Sequence, residues 1–391
     1  MPLDRRRAAV ALSGACAFLN LYATQPLLPP IEQAFGVSPA EASLSVTAGT
    51  LAVGLVAPFA GMLADRWGRK AVIVGAILLL VLPTLLVAQA GGLWELVAWR
   101  FVQGLCLPFI FAVTVAYVGE EWEPRDAAAV ASIYISGTIM GGFSGRFLSG
   151  LVGAWAGWRE AFVVLAAVNV LIAVAVAAWL PRETRFVPSK GFRDTLKAMG
   201  EHLRNPRLVA ACGVGFGLLF ALVATFTYVS FLLARPPYSL DTAALGAIFV
   251  VYLTGVAISP VAGRLVGRFG HRGVMAGGVA LSCAGLAVTL VPSLPAIIAG
   301  LALTCGGIFV CQSVATGFVA VVAPRAKSAA VGLYVAAYYL GGSAGAVVPG
   351  PAWEAQGWPG AVAVVVLAEL ALLAIAALFW RAPAKTPMAA V

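Results

Sequence analysis

The 391-residue chain is 61% apolar and 10% charged, with a mean hydropathy of +0.97 and a formal net charge of +9. Soluble domains average about 45–50% apolar and about 25% charged residues, so no soluble core absorbs this excess. The positive charge does not indicate a nucleic-acid partner, because no basic patch interleaved with exposed aromatics sits in a soluble domain.

Apolar runs bounded by Pro, Gly and charge predict twelve transmembrane helices, most of them long enough to cross a hydrocarbon core of about 30 Å at about 1.5 Å per residue. Span 1 covers residues 8–28. The Arg5-Arg6-Arg7 run before it resembles the basic end of a signal peptide, and Leu12 to Cys16 resembles a lipoprotein cleavage box with its leucine one place too far away. The apolar run continues to Leu28, so an uncleaved first helix is expected. Spans 2 to 6 follow at 42–64, 71–90, 93–118, 127–154 and 159–180. The longest polar link, 181–206, divides six spans from six, and its Phe192, Leu196, Met199 and Leu203 have the spacing of a short amphipathic helix lying on a membrane surface. Spans 7 to 12 are expected at 207–233, 241–263, 273–292, 295–322, 328–351 and 359–380. This division gives an N-terminal six-helix bundle (1–180), a linker (181–206) and a C-terminal six-helix bundle (207–391).

Lysine and arginine fix the expected orientation. Of the 25 in the chain, 21 lie at the two ends, in alternate loops or at the helix edges beside them. By the positive-inside rule both termini are cytoplasmic and the protein is a multi-pass protein of the cytoplasmic (inner) membrane. The six cysteines all lie in apolar segments with no CxxC pair, and His202 and His271 lie in polar loops. No disulfide, metal site or cofactor is therefore expected.

An internal repeat runs through the chain at an offset of 200. Residues 124–134 realign with 324–334, and Gly141-Gly142, Gly145, Gly150 and Gly157-Trp158 realign with Gly341-Gly342, Gly345, Gly350 and Gly357-Trp358. The charged stretch Gly61 to Lys70 (G-M-L-A-D-R-W-G-R-K) has a degraded copy at 263–272, in which Gly267 stands in place of Asp65. Six spans separate the copies, so the halves share one orientation. The expected fold class is an all-α integral membrane protein whose twelve transmembrane helices form two pseudo-symmetric bundles, an arrangement that suits a rocking transporter with its site between them.

On these motifs the chain resembles a major facilitator superfamily transporter, and the resemblance covers its whole length. Gly61 to Lys70 matches the loop 2–3 signature of that family, and Arg100-x-x-Gln103-Gly104 matches the span 4 motif of its drug/proton antiporter branch. Tyr22 to Pro29, with the paired glycines of spans 5 and 11, is similar to the YnfM-like subgroup of efflux carriers. The branch usually carries Gly-Pro in span 5, where this chain has Gly141-Gly142. The spacing of Gly137, Gly141, Gly142 and Gly145, with Gly341, Gly342 and Gly345 in the repeat, leads us to expect close packing between the halves.

The resemblance implies a gate at Gly61, Asp65, Arg66, Gly68, Arg69 and Lys70, latching the cytoplasmic side in one conformation only. Arg100 and Arg146 fall inside spans, where an arginine costs about 2.5–3.5 kcal/mol on insertion scales and must face protein or a watery cavity. For each, a coupling or cavity role stands beside a structural one, hydrogen bonding to backbone carbonyls. No acid in the central part of spans 1–6 neutralises the pair, which disfavours lipophilic cations and suits neutral or anionic solutes. Glu369 is the one carboxylate near the middle of a span, a candidate proton carrier or a structural group. Tyr22, Gln25, Gln103, Tyr134, Tyr228, Gln312, Tyr334 and Tyr338 are candidate cavity residues or helix–helix glue.

The function expected is alternating-access transport of a small organic solute: proton-coupled efflux of a neutral or anionic compound such as a sugar, an organic acid or an amphipathic drug. Its partners are then the solute, protons and the lipid bilayer, with the carrier a monomer. Proton-linked or facilitated uptake is the alternative within transport, and a non-transporting membrane sensor is the alternative outside it. An enzyme is not expected, since the chain carries no nucleophile–base pair, metal cluster or nucleotide loop.

Overall fold

The computed structural model describes residues 4–64, 67–184, 192–323 and 326–380, which hold sixteen α-helices and no strand. In the first bundle α1 (Arg5–Leu21), a 3-10 turn (Gln25–Leu27) and α2 (Leu28–Phe35) make up span 1 and its exit. Span 2 is α3 (Pro39–Val56) with α4 (Ala60–Ala64), and spans 3 to 6 are α5 (Arg69–Gln89), α6 (Leu93–Glu121), α7 (Pro124–Trp155) and α8 (Trp158–Trp179). The link carries α9 (Phe192–His202). The second bundle opens with α10 (Pro206–Ala234) as span 7. Span 8 is α11 (Thr242–Ile248), a 3-10 turn (Phe249–Val251) and the start of α12 (Tyr252–Val288), which runs on into span 9 through a kink at Gly270, φ 71°. Then follow α13 (Leu294–Val322), α14 (Lys327–Val347) with α15 (Gly350–Gln356), and α16 (Trp358–Phe379).

Ten helical segments among the described residues are long and apolar enough to cross a membrane. Spans 1 and 8 are instead interrupted. In span 1, Pro26, Pro29 and Pro30 lack the N–H groups that a continuing helix needs. The next helix, α3, starts on a capping box: Ser38 Oγ accepts from Glu41 N at 3.2 Å, and Ser38 N donates to the Glu41 carboxylate at 2.8 Å. The repeated Gly-Trp pairs have a backbone reason. Gly157 and Gly357 precede α8 and α16 with φ of 115° and 64°, where a side chain would be strained.

The paired glycine motifs sit elsewhere than expected. A Cβ on Gly137, Gly141 or Gly145 of α7 would strike the backbone of α1 at Ala11, Ala15 or Leu19. On Gly341 or Gly345 of α14 it would strike the backbone of α10 at Phe216 or Phe220. These glycines therefore let two helices of the same bundle touch, where the sequence led us to expect packing between bundles. A Cβ on Gly142 would approach the side chains of Arg146 and of Phe18 on α1, and one on Gly342 would meet the side chains of Leu219 and Val223 on α10.

Contacts between bundles use other residues. Thr242 Oγ1 of α11 donates to the Gly150 carbonyl of α7 at 2.8 Å, and Thr47 Oγ1 of α3 donates to the Ser343 carbonyl of α14 at 3.0 Å. Arg235 and Glu32 pair at 2.8 Å on the side away from the chain ends. Burial pushes the Glu32 carboxyl up, while the Arg235 guanidinium pulls it down. On the side of the chain ends, Met199 of α9 is buried, and it and Pro58 both lie beside Gly332 of α14. Leu196 of α9 and Leu203 just after it stay exposed, while α9 meets protein through Met199.

Candidate functional site

Span 1 stops being helical at Tyr22, and the interruption orders the residues around it. The last carbonyls of α1 have no helical donor above them. Arg100 of α6, 1% exposed, supplies donors: Nη1 to the Asn20 carbonyl at 3.0 Å and Nη2 to the Leu21 carbonyl at 2.6 Å. Its Nε reaches the Ser45 carbonyl of α3 at 3.1 Å, and Nη1 also meets Gln103 Oε1 at 2.6 Å. Gln103 Nε2 passes the chain of bonds on to Thr84 Oγ1 at 2.7 Å. Arg100 and Gln103 thus form a closed polar cluster that ties α1, α3, α5 and α6 together, and neither lines the central cavity. Beside it, Asn20 and Asn169 exchange amide hydrogen bonds at 2.8 and 3.0 Å, a buried pair that sequence reading missed.

The cavity, about 170 Å³, lies between the bundles. Phe18, Tyr22, Thr138, Gly142, Phe143 and Arg146 line it from the first bundle. Leu219, Leu222, Tyr252, Phe309, Tyr338 and Tyr339 line it from the second. Arg146 is 3% exposed, with its guanidinium carbon 4.6 Å from the Tyr22 ring centre and 4.8 Å from those of Phe249 and Tyr252. Its Nε donates to Gln25 Oε1 at 2.8 Å and its Nη1 to the Gly142 carbonyl at 2.6 Å. Three aromatic faces and two carbonyl-type oxygens offset the charge. No carboxylate pairs with it among the described residues.

Of the residues singled out from sequence, the structure places Tyr22, Gly142, Arg146 and Tyr338 at the cavity wall. Gln25 stands behind Arg146 and bridges to Thr227 of α10 at 3.4 Å. The others are bound elsewhere. Tyr134 donates to the Phe111 carbonyl at 3.2 Å, Tyr228 to the Ala346 carbonyl at 3.1 Å, and Tyr334 to Gln312 Oε1 at 3.1 Å. Tyr134 and Tyr334 occupy equivalent places in the repeat, packed on Gly14 and Gly215. Sequence reading passed over Tyr252 and Tyr339, although each is a phenol inside an apolar run, the same signal that singled out Tyr338.

Glu369 of α16 is 2% exposed and outside the cavity wall. Ser282 Oγ donates to its Oε1 at 2.5 Å and Cys283 Sγ to its Oε2 at 3.2 Å, both from α12. In the Gly61–Lys70 stretch, Asp65 and Arg66 lie outside the described residues. Gly68 has φ 82° and leads into α5, whose Lys70 N–H donates to Glu183 at 3.2 Å. Arg69 forms a two-pronged pair with Glu120 of α6, 3.1 Å from Nε and 2.7 Å from Nη2, and donates from Nη1 to the Gly61 carbonyl at 3.1 Å. A Cβ on Gly61 would meet nothing within 4 Å among the described residues. No group of His, Cys, Asp and Glu able to hold a metal ion occurs among the described residues.

A family model described as Major Facilitator Superfamily matches residues 10–258. The inner membrane transport protein YnfM of Escherichia coli K12 is 36% identical over 365 residues, covering 92% of this chain and 86% of its own. The uncharacterized MFS-type transporter YybF of Bacillus subtilis 168 is 32% identical over 362 residues, covering 92% and 90%. Among solved structures, the nucleoside transporter NupG (D323A mutant) superposes with a TM-score of 0.79 at 14% identity, covering 95% of this chain and 99% of that one. The human organic anion transporter MFSD10 does so with a TM-score of 0.71 at 18% identity, covering 96% and 99%. The matched profile, the full-length relatives and the paired six-helix bundles agree, and the chain belongs to the major facilitator superfamily of membrane transporters.

Proposed function

We propose that the protein moves a small neutral or anionic organic solute across the cytoplasmic membrane by alternating access, exporting it in exchange for protons, with both chain ends in the cytoplasm and the cavity around Arg146 as its binding site. One observation carries this reading: a buried cation with no carboxylate partner among the described residues stands in the wall of a cavity between two bundles. Such a group is costly in a membrane unless a solute or water meets it. Relatives sharing the fold are named for nucleosides and for organic anions, so the fold alone selects no solute and the choice rests on the lining. Arg146 argues against lipophilic cations.

Glu369 and Asp65 are our candidates for the coupling proton. Glu369 holds a carboxyl in an apolar bundle, with a hydroxyl and a thiol as its donors among the described residues. Asp65 belongs to the stretch we propose as the cytoplasmic latch, with Gly61, Arg66, Gly68, Arg69 and Lys70. The test is solute flux in proteoliposomes with and without an imposed pH gradient. Flux of the parent should follow the gradient, and Glu369→Gln or Asp65→Asn should flatten that dependence. Flux indifferent to the gradient would mark a uniporter, and solute binding without counterflow would mark a sensor.

A further inference from the structure

We infer that the cavity takes an aromatic monocarboxylate of single-ring size, its carboxylate on Arg146 and its ring among the surrounding aromatic side chains; this rests on the reading of that cavity as the solute site.

Charge comes first. Among the described residues, Arg146 is the one charged side chain in the cavity wall. Two of its three nitrogens are occupied, Nε by Gln25 and Nη1 by the Gly142 carbonyl, while Nη2 makes no hydrogen bond with the described residues. One cation with one open nitrogen matches one anionic group, and a second negative charge would stay unpaired in an apolar wall.

The phenols supply the second constraint. Tyr117, Tyr134, Tyr228 and Tyr334 each donate to a partner in the protein. The hydroxyls of Tyr22, Tyr252, Tyr338 and Tyr339, all at the cavity wall, make no hydrogen bond with the described residues. Tyr22 and Tyr339 are buried and Tyr252 and Tyr338 part-buried. Polar groups shut away from bulk water almost always find partners, so these four are open to a ligand or water. They can donate to a carboxylate oxygen and exchange bonds with a ring hydroxyl.

The rest of the wall is hydrocarbon, chiefly Phe18, Phe143 and Phe309 with Leu219 and Leu222. A sugar or polyol would leave most of its hydroxyls unpaired against these rings, each at a desolvation cost. A planar ring gains by offset or edge-on packing there. The volume sets the size: about 170 Å³ in the wall described above, where an apolar cavity of about 150 Å³ accepts benzene. One ring with its carboxylate fits that volume.

The experiment uses the full-length protein in nanodiscs, with radiolabelled 4-hydroxybenzoate as the binding probe. Unlabelled benzoate, benzyl alcohol, ribitol and tetraphenylphosphonium serve as competitors. Benzoate should compete and the other three should not. Arg146→Gln should weaken binding about ten- to a hundred-fold, as expected for loss of a charged hydrogen bond. Tyr338→Phe and Tyr252→Phe keep the rings and should each weaken it a few-fold. If Arg146→Gln does not fold, the competition order on the parent and the two Tyr→Phe variants decide. Failure of 4-hydroxybenzoate to bind the parent overturns the assignment, as does equal competition by benzyl alcohol or ribitol, or a folded Arg146→Gln that binds like the parent. Counterflow of a different solute would then leave the carrier reading intact. Binding of the acid that depends on Arg146 but never supports counterflow would uphold the site and sink the carrier reading.

Discussion

Replacing Arg100 by alanine should destabilise the protein more than truncating any other single side chain in the first bundle. The substitution strips donors from three backbone carbonyls, at Asn20, Leu21 and Ser45, and from Gln103 Oε1. Ser45, inside α3, keeps its helical donor. The Asn20 and Leu21 carbonyls and Gln103 Oε1 are left orphaned at about 1–3 kcal/mol each, a sum of several kcal/mol even after water enters part of the space. Two of these carbonyls end α1, so the loss should also fray the turn that carries Tyr22 into the cavity wall. Arg100→Lys keeps the charge, but a compact ammonium cannot reach acceptors on two sides as the planar fork does, and only partial recovery is expected. Thermal unfolding of the purified variants in detergent measures both effects. A midpoint for Arg100→Ala within a degree or two of the parent would show that the cluster is dispensable.

The second large effect belongs to the glycine seam of α1 and α7. Valine at Gly141 would drive its side chain into the backbone of α1 at Ala15, where no rotamer change makes room. Overpacking a well-filled core costs about 1–3 kcal/mol, and here the neighbour is main chain, so the upper end or beyond applies. Gly345→Val should act alike on the second bundle, against Phe220 of α10. Gly277→Ala, on α12 with nothing within 4 Å of the added carbon, should be neutral or slightly stabilising, since alanine is favoured over glycine in helices by about 1 kcal/mol. Yield of monodisperse protein and unfolding midpoint together read the contrast. Equal tolerance of valine at Gly141 and of alanine at Gly277 would mean that α1 and α7 separate at little cost.

Composition and the Gly/Pro punctuation made the spans legible, because a helix in hydrocarbon has to satisfy its own backbone and announces itself by length. The repeat announced two bundles for the same reason, in that Gly157 and Gly357 recur where the chain needs positive φ. What glycine spacing does not encode is the partner. Gly137, Gly141 and Gly145 mark a close approach on one face of α7, but only the packed structure shows that α1 fills it. The break in span 8 was hidden likewise, since apolar residues continue through Phe249–Val251 while the α-helix does not, whereas in span 1 Pro26, Pro29 and Pro30 mark the break in the sequence itself.

The candidate site was half visible. Arg146 stood out because charge is rare in these spans, and Tyr338 because a phenol has a polar tip. Arg100 stood out for the same reason as Arg146, and sequence could not say which of the two meets the cavity. The difference lies in their surroundings: Arg100 faces the loose end of α1, while Arg146 faces rings. Phe18, Phe143 and Phe309 were invisible as lining, because a phenylalanine turned to a cavity and one turned to lipid look the same in a sequence.

The position of Arg146 on α7 has one more consequence. Four residues on, one helical turn away, the Gly150 carbonyl accepts the Thr242 hydroxyl that holds the bundles together. The main chain at Arg146 itself sits against Gly246 of α11. A single turn of helix is thus both the floor under the cavity charge and one half of the seal beyond it. Rotating that turn by a few degrees alters both at once.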